Sequence, residues 1–239
     1  MKKLLSLPTV FMLIFITSLG SASTIGDEER QEVVGLFGSL LAPSIFSSAR
    51  TEKISASIYG GVVTGEGKVP DFDGSIRDNI DSLQVHINGR LGGFGATIGF
   101  GQGNEFEFSQ PFIISVDYKF GLPELIPIVD MAIDGQYSMI YLPNEEIIKV
   151  SAPGFGVASI NGIISAKLLF FLEPYVGATF NYVYLDSEDE LIKVWKAIPK
   201  LGLKLNIIPF ANIGTEISFI KNKYLDSSWI WNMGASVKF

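Results

Sequence analysis

Trp229-Ile-Trp-Asn-Met-Gly-Ala-Ser-Val-Lys-Phe239, the last eleven residues of the chain, are the stretch that decides the fold. One parity of this stretch is apolar: Trp229, Trp231, Met233, Ala235, Val237 and Phe239. The other parity is polar or small: Asn232, Gly234, Ser236 and Lys238. Because successive side chains of a β-strand point to opposite faces, this alternation predicts an amphipathic strand that runs to the final residue.

The other end of the chain predicts export. Lys2 and Lys3 precede an apolar run over residues 10–16, and small residues over 18–23 follow it. This order is that of a secretory signal peptide, which we assign to residues 1–22 with cleavage near Ala22 or Ser23. A membrane anchor is the weaker alternative, because the apolar run is too short to cross about 30 Å of hydrocarbon comfortably.

The composition is apolar for an exported chain. Hydrophobic residues make up 47% and charged residues 18% of the sequence, and the mean hydropathy is +0.33. No second stretch approaches the length of a transmembrane helix, so the apolar residues must fill a core or face lipid. Alternating strands in a closed barrel achieve the second arrangement.

Cysteine and charge content exclude two further possibilities. The chain has no cysteine, so no disulfide framework supports the exported fold. Its 18 basic and 25 acidic residues give a net charge of −7, which becomes −9 once Lys2 and Lys3 are removed with the signal peptide. An acidic protein of this kind is not expected to bind nucleic acid or an anionic surface.

The hydrophobic period changes once along the mature chain. Residues 27–42 predict an amphipathic helix, with apolar side chains at helical spacing, acidic residues in the first turns and Pro43 after the end. From residue 53 onward the period is two. About ten strands are predicted, over residues 54–62, 83–91, 94–100, 110–120, 128–141, 156–170, 174–185, 195–207, 211–220 and 229–239.

The predicted connections alternate between long and short. Those around 64–79, 101–109, 142–155, 186–194 and 221–228 are long or polar. Those at 92–93, 121–127, 171–173 and 208–210 are shorter or apolar. Transmembrane barrels have long extracellular loops, short periplasmic turns and an even number of strands, so this alternation fits a barrel with both termini on the periplasmic side.

A chain that ends on Phe239 at the close of an amphipathic strand resembles the bacterial outer-membrane β-barrel proteins, a porin-like class. The resemblance covers about residues 53–239 and implies an antiparallel up-and-down transmembrane barrel of about ten strands. Residues 23–52 form a separate N-terminal helical segment before it. The resemblance also implies a bacterial outer-membrane location, lipid contact, and recognition of the C-terminal strand by the barrel-assembly machinery.

Parity then sorts the side chains into two predicted sets. The first set would form aromatic girdles at the membrane interfaces: Phe94, Phe100, Phe120, Tyr141, Phe170, Tyr182, Tyr184, Trp195, Phe219, Trp229, Trp231 and Phe239. The second set would line the lumen: Gln84, His86, Asn88, Arg90, Asp117, Lys119, Asp130, Asp134, Lys167, Lys200, Lys204 and Glu216.

Two functions stay open at the sequence level. The lumen charges suit a narrow porin-like passage or a binding site for a small solute. The alternative is a structural or surface-interaction barrel that acts through its extracellular loops without transport. A soluble ligand-binding barrel is the alternative fold. We expect no catalytic residues, cofactor or metal, since His86, the single histidine, is placed in mid-strand and more typical of a hydrogen-bonded interior residue.

The position of the N-terminal helix has two alternatives. It could lie at the periplasmic membrane face, or it could enter the lumen as a plug. Its apolar stripe is broad, and a polar lumen offers little to an apolar helix. The sequence therefore favours the periplasmic or interfacial position.

Overall fold

The computed structural model describes residues 28–42, 48–50, 53–70, 76–103, 111–123, 126–141, 155–168, 171–186, 191–223 and 225–239. Within them, one helix precedes ten strands. Their bounds are α1 (Glu28–Leu41), β1 (Ile54–Pro70), β2 (Ile76–Leu91), β3 (Phe94–Gly103), β4 (Phe112–Gly121), β5 (Val129–Tyr141), β6 (Phe155–Ala166), β7 (Leu172–Asp186), β8 (Leu191–Ile208), β9 (Ala211–Phe219) and β10 (Leu225–Lys238). The signal peptide predicted over residues 1–22 lies outside the described residues.

The ten strands form a closed antiparallel barrel. Each strand pairs with its neighbour in sequence, and β1 pairs with β10, with Ile58 opposite Ala235 and Val62 opposite Trp231. Closure leaves no strand edge unpaired, which a membrane requires because lipid offers no hydrogen bonds to the backbone. The predicted ten-stranded up-and-down barrel is therefore confirmed, and the C-terminal strand is the one that closes it.

The barrel has an apolar exterior and a polar interior. Ile58, Val62 and Trp231 are each about half exposed on the outside. Inward positions of the same sheet bury charged groups such as Asp134 and Glu216, both 0% exposed. A soluble barrel has the opposite arrangement, so this polarity contradicts the soluble ligand-binding barrel and agrees with a lipid-facing outer wall.

Several connections are shorter than the sequence predicts. β1 and β2 continue to pair beyond the expected strand ends, with Thr64 opposite Asp81 and Val69 opposite Arg77. The predicted loop 64–79 therefore narrows to 71–75, and 186–194 narrows to 187–190. Strands of 16 and 17 residues exceed the roughly 9–11 that cross a bilayer. Outside the lipid, the strands continue to hydrogen-bond, but their side chains no longer alternate between apolar and polar. The alternation in the sequence therefore did not predict these strand ends.

The outer surface carries most of the predicted girdle aromatics. Nine of the twelve are exposed there: Phe94, Phe100, Phe120, Tyr141, Trp195, Phe219, Trp229, Trp231 and Phe239. Tyr182 is only 6% exposed, because its ring packs 4.9 Å from that of Trp195. Tyr184 is half-buried beside Gly156, and its hydroxyl bonds that of Tyr137. Phe170 lies outside the described residues, and the girdle role itself stays a prediction.

Candidate functional site: the barrel lumen

The inner wall of the barrel has two chemically different halves. On β4 the inward side chains change from Asp117 and Ser115 to Ile113 toward the long loops, and on β5 they change from Asp134 to Ile140. All five are buried. We call the part near the long loops the loop half and the part near the short turns the turn half. The loop half is apolar and the turn half is polar.

Helix α1 occupies the loop half. Leu36 and Leu40 pack in one cluster with wall residues Val63, Ile80, Ile198, Ile220, Leu225 and Ile230. The opposite side packs in a second cluster that joins Val33, Val34, Phe37, Leu41 and Ala42 to Ile113, Ile140, Phe155, Val157, Val183, Leu185 and Ile192. The wall residues come from strands on all sides, so the helix lies inside the barrel as a plug. The periplasmic position that the sequence favours is not the observed one, because half of the lumen wall is apolar.

Two helical glycines let α1 approach the wall closely. A Cβ atom on Gly38 would lie 2.2 Å from Cγ1 of Val183, and one on Gly35 would lie 2.8 Å from Cγ1 of Val194. Glycine costs about 1 kcal/mol relative to alanine inside a helix, so its use twice here needs a packing reason. The close approach supplies it: any side chain at these positions would push the helix off the wall.

The helix runs from the loop end toward the turn end. Near its start, the Glu32 carboxylate is 2.5 Å from Nζ of Lys196 and accepts a hydrogen bond from Asn222, beyond β9 at the loop end. Near its end, Gln84 donates to the Leu40 carbonyl, an acceptor without an intrahelical partner at a helix C-terminus. Ser48 then lies in the turn half, where Lys119 bonds its carbonyl oxygen. The chain therefore threads the lumen before β1 begins.

The turn half is filled by paired charges. The Arg90 guanidinium bonds the Asp117 carboxylate and lies 3.4 Å from that of Asp134. On the other side of the lumen, Nζ of Lys200 is 3.9 Å from Glu216, which also accepts from the Tyr175 hydroxyl at 3.1 Å. Buried charges are tolerated when they are paired and hydrogen-bonded in this way.

His86 is a packed interior residue. It is 1% exposed, its Nε2 lies 3.1 Å from Oε1 of Gln84, and its ring stacks on Tyr59 with centroids 5.0 Å apart. Gly99 on β3 leaves room for the imidazole, since a Cβ there would lie 2.4 Å from Nδ1. Among the described residues, Nδ1 has no hydrogen-bond partner. Neither nitrogen contacts a carboxylate or a nucleophile of the described chain, so no catalytic pair is assembled.

Nine of the twelve predicted lumen residues are buried in the interior: Gln84, His86, Arg90, Asp117, Lys119, Asp134, Lys200, Lys204 and Glu216. Asn88 is half-buried and bonds Thr97 at 2.8 Å. Asp130 and Lys167 lie instead at the turn-end rim, 3.6 Å apart. Whether these residues form a functional site stays a prediction.

The sequence pattern missed two interior residues and one residue at the rim of the lumen. Tyr175 and Glu173 share the inward parity of β7 and are buried, but the predicted lumen set includes neither. Their parity was the signal that could have found them. Arg50 precedes β1 in the sequence, and its Nε lies 3.6 Å from Oδ2 of Asp130. No strand periodicity predicts a contact made by a residue that is not in a strand.

A polar recess opens in the turn half below the helix. Its cavity volume is about 40 Å³. It is lined by Ser48, Arg50, Ser55, Ser57, Tyr59, Asn88, Arg90, Thr97, Lys119, Tyr175, Lys204, Asn212 and Ser236. Four of these side chains are cationic and none is a carboxylate.

Two arrangements are absent from the part of the chain that the structure describes. It contains no helix with the length and apolar content needed to cross a membrane. It also contains no group of three histidine or acidic side chains arranged to hold a metal ion.

Comparison with known proteins identifies neighbours by fold and not by sequence. No protein-family model and no curated protein matches this chain. The solved NanC porin is 11% identical, with a TM-score of 0.40 over 77% of this chain and 100% of that one. Ail, the attachment invasion locus protein of Yersinia pestis, is 15% identical, with a TM-score of 0.32 over 79% and 99%.

The COG4313 outer membrane channel from Pseudomonas putida F1 is 7% identical, with a TM-score of 0.47 over 83% of this chain and 100% of that one. These neighbours are bacterial outer-membrane β-barrel proteins. A porin, a channel and an attachment invasion locus protein stand among them, and none is a specific match for this chain.

Proposed function

We propose that this chain is an exported bacterial outer-membrane barrel that is closed by its own N-terminal helix and acts as a structural or surface-interaction protein. One observation carries the proposal: α1 packs against apolar wall residues on both of its sides and fills the loop half of the lumen. A solute that enters from the loop end meets this helix, and one that enters from the turn end meets the paired charges of Arg90 and Lys200.

The proposed setting follows from the exterior of the barrel. Its outer wall is apolar, so the partner along the strands is lipid. Long loops outside and short turns in the periplasm give the orientation. The signal peptide supplies export, and β10 is the element offered to the barrel-assembly machinery. On this proposal, the long connections between strands make the contacts with partner surfaces.

A disulfide lock tests whether the plug is permanent. Gly38 on α1 faces Val183 on β7, and an ideal Cβ on Gly38 lies 3.1 Å from the Val183 Cβ. Disulfides need about 3.5–4.5 Å between Cβ atoms, so a small shift suffices in a Gly38→Cys, Val183→Cys variant. The chain has no other cysteine to compete.

The measurement is planar-bilayer conductance of the mature protein refolded from the wild-type chain and from the locked variant. We expect no conductance steps from either, and none after the locked variant is reduced. The reduced variant is its own matched control, since it has the same sequence with the helix untethered. Conductance through the oxidised, locked barrel would refute closure by α1.

Passage of a small solute is the second candidate, and the turn-half recess favours it. The recess opens to solvent at the turn end and presents cations and hydroxyl groups to a polar solute. On this hypothesis α1 must leave its seat for passage. Conductance that appears in the wild type and in the reduced variant but not in the oxidised variant would establish gated passage and overturn the purely structural function. Neither candidate requires an enzyme activity.

A further inference from the structure

The turn-half recess has an unusual charge for this protein. The chain is acidic overall, yet among the described residues the recess wall carries Arg50, Arg90, Lys119 and Lys204 and no carboxylate. The acids that pair with the two arginines lie to the side: Asp117 and Asp134 beside Arg90, and Asp130 beside Arg50. None of these three acids is among the described residues that line the recess.

The two lysines are held in place by neutral oxygens of the segment that follows α1. Nζ of Lys119 donates to the Ser48 carbonyl, and to that of Arg50 at 3.0 Å. Nζ of Lys204 lies 3.5 Å from the Ser48 hydroxyl. Both lysines are at most 7% exposed. These contacts fix ammonium groups at the recess wall, which lowers the entropic cost of binding an anion there.

Asn212 provides an independent sign of an absent ligand. This side chain is 3% exposed and lines the recess. Its Oδ1 accepts from the Ser236 hydroxyl at 2.5 Å. Its Nδ2 is buried without a hydrogen-bond partner among the described residues. An unsatisfied buried donor is costly, and an acceptor in the recess would satisfy it.

The remaining lining is suited to the same ligand. Ser55 and Ser57 add hydroxyl groups that can donate to oxygen. Arg50, with 44% of its side chain exposed, stands at the solvent side of the recess. Above the recess the lumen is closed by α1. A ligand therefore enters and leaves at the turn end.

We propose that the turn-half recess binds a small oxyanion, a carboxylate or a phosphate, from the periplasmic side. Cations, hydroxyl groups and an amide donor without a partner among the described residues converge on one space. None of the described residues that line it is a carboxylate. This binding does not depend on passage through the barrel, and it holds equally for a permanently closed one.

Isothermal titration calorimetry of the full mature protein in a zwitterionic detergent tests the proposal, with inorganic phosphate in one arm and acetate in the other. We expect saturable binding of at least one of them, weakened by added sodium chloride. Lys204→Gln removes one charge from the wall and is expected to weaken binding at least tenfold. Lys193→Gln, on β8 but not among the lining residues, is the matched control and is expected to bind as the wild type does.

Asn212→Asp gives a second test with almost no change in shape. It replaces the unpartnered amide with a carboxylate, which is expected to abolish anion binding. Heat-modifiable migration in detergent gels checks that each variant is folded. Two results would overturn the proposal: no binding of phosphate or acetate by the folded wild type, or binding that Lys204→Gln and Asn212→Asp leave unchanged.

Discussion

Leu36→Ala is the substitution that tests the packing of α1 against the inner wall separately from the stability of the barrel. Leu36 is 0% exposed and packs with Ile198, Ile220 and Ile230 of the wall. A buried leucine reduced to alanine costs about 2–5 kcal/mol, with the upper range where the cavity cannot collapse. The hydrogen-bonded strands hold the wall rigid here. We therefore expect the substitution to destabilise the packing of α1 against the wall by a free energy within this range.

The expected size of the effect follows from the local opening of the helix. Strand amides are held by ladders on both sides, whereas α1 is held mainly by side-chain packing. We therefore expect α1 to open without unfolding of the barrel. Since each 1.4 kcal/mol is a factor of ten, a loss of about 2–5 kcal/mol accelerates exchange of the α1 amides by about 30-fold to a few thousand-fold.

Hydrogen–deuterium exchange with mass spectrometry in lipid nanodiscs measures this directly. The matched control is Leu201→Ala on β8, the same truncation at a lipid-facing site that is 54% exposed. It is expected to leave exchange of α1 unchanged. The reasoning fails if Leu36→Ala accelerates exchange of residues 28–41 by less than tenfold, or if Leu201→Ala produces the same acceleration.

Two further predictions concern the charges and the direction of the helix. Arg90→Met leaves Asp117 and Asp134 buried without their cation. Denaturant titration is therefore expected to show that the free energy of unfolding falls by about 3–5 kcal/mol. A loss under about 1 kcal/mol would contradict the pairing. A cysteine at Gln31 is expected to react with a membrane-impermeant maleimide in intact cells, whereas one at Lys167 reacts only after permeabilisation. The reverse labelling pattern would refute the orientation of α1 and the barrel.

The barrel wall could be predicted from local sequence, because its information is local. Period-two alternation assigns each strand residue to one face, and the alternation is clearest in β10. Nine of the twelve predicted lumen residues are buried, and the strand number is ten as expected. The polar hairpin beyond residue 64 was missed, since strand outside the lipid carries no apolar signal.

The plug could not be predicted, although the sequence contains a sign of it. Toward the long loops, inward positions become apolar as well, so Val62-Val63 and Ile113-Ile114 each place two apolar residues in succession. Such doublets blur the alternation and look like noise in a single strand. Only when the strands close does Val63 meet Ile198 across the lumen in one cluster with Leu36.

The sequence by itself determined that this chain makes a β-barrel with an apolar outer face and ends on its closing strand. A strand's two faces are set by the order of its own residues, so no tertiary contact is needed to read them. The tertiary structure decided what fills the barrel. The apolar loop half, the seat of α1 and the cationic recess each combine inward side chains from distant strands, and their identity depends on closure and register.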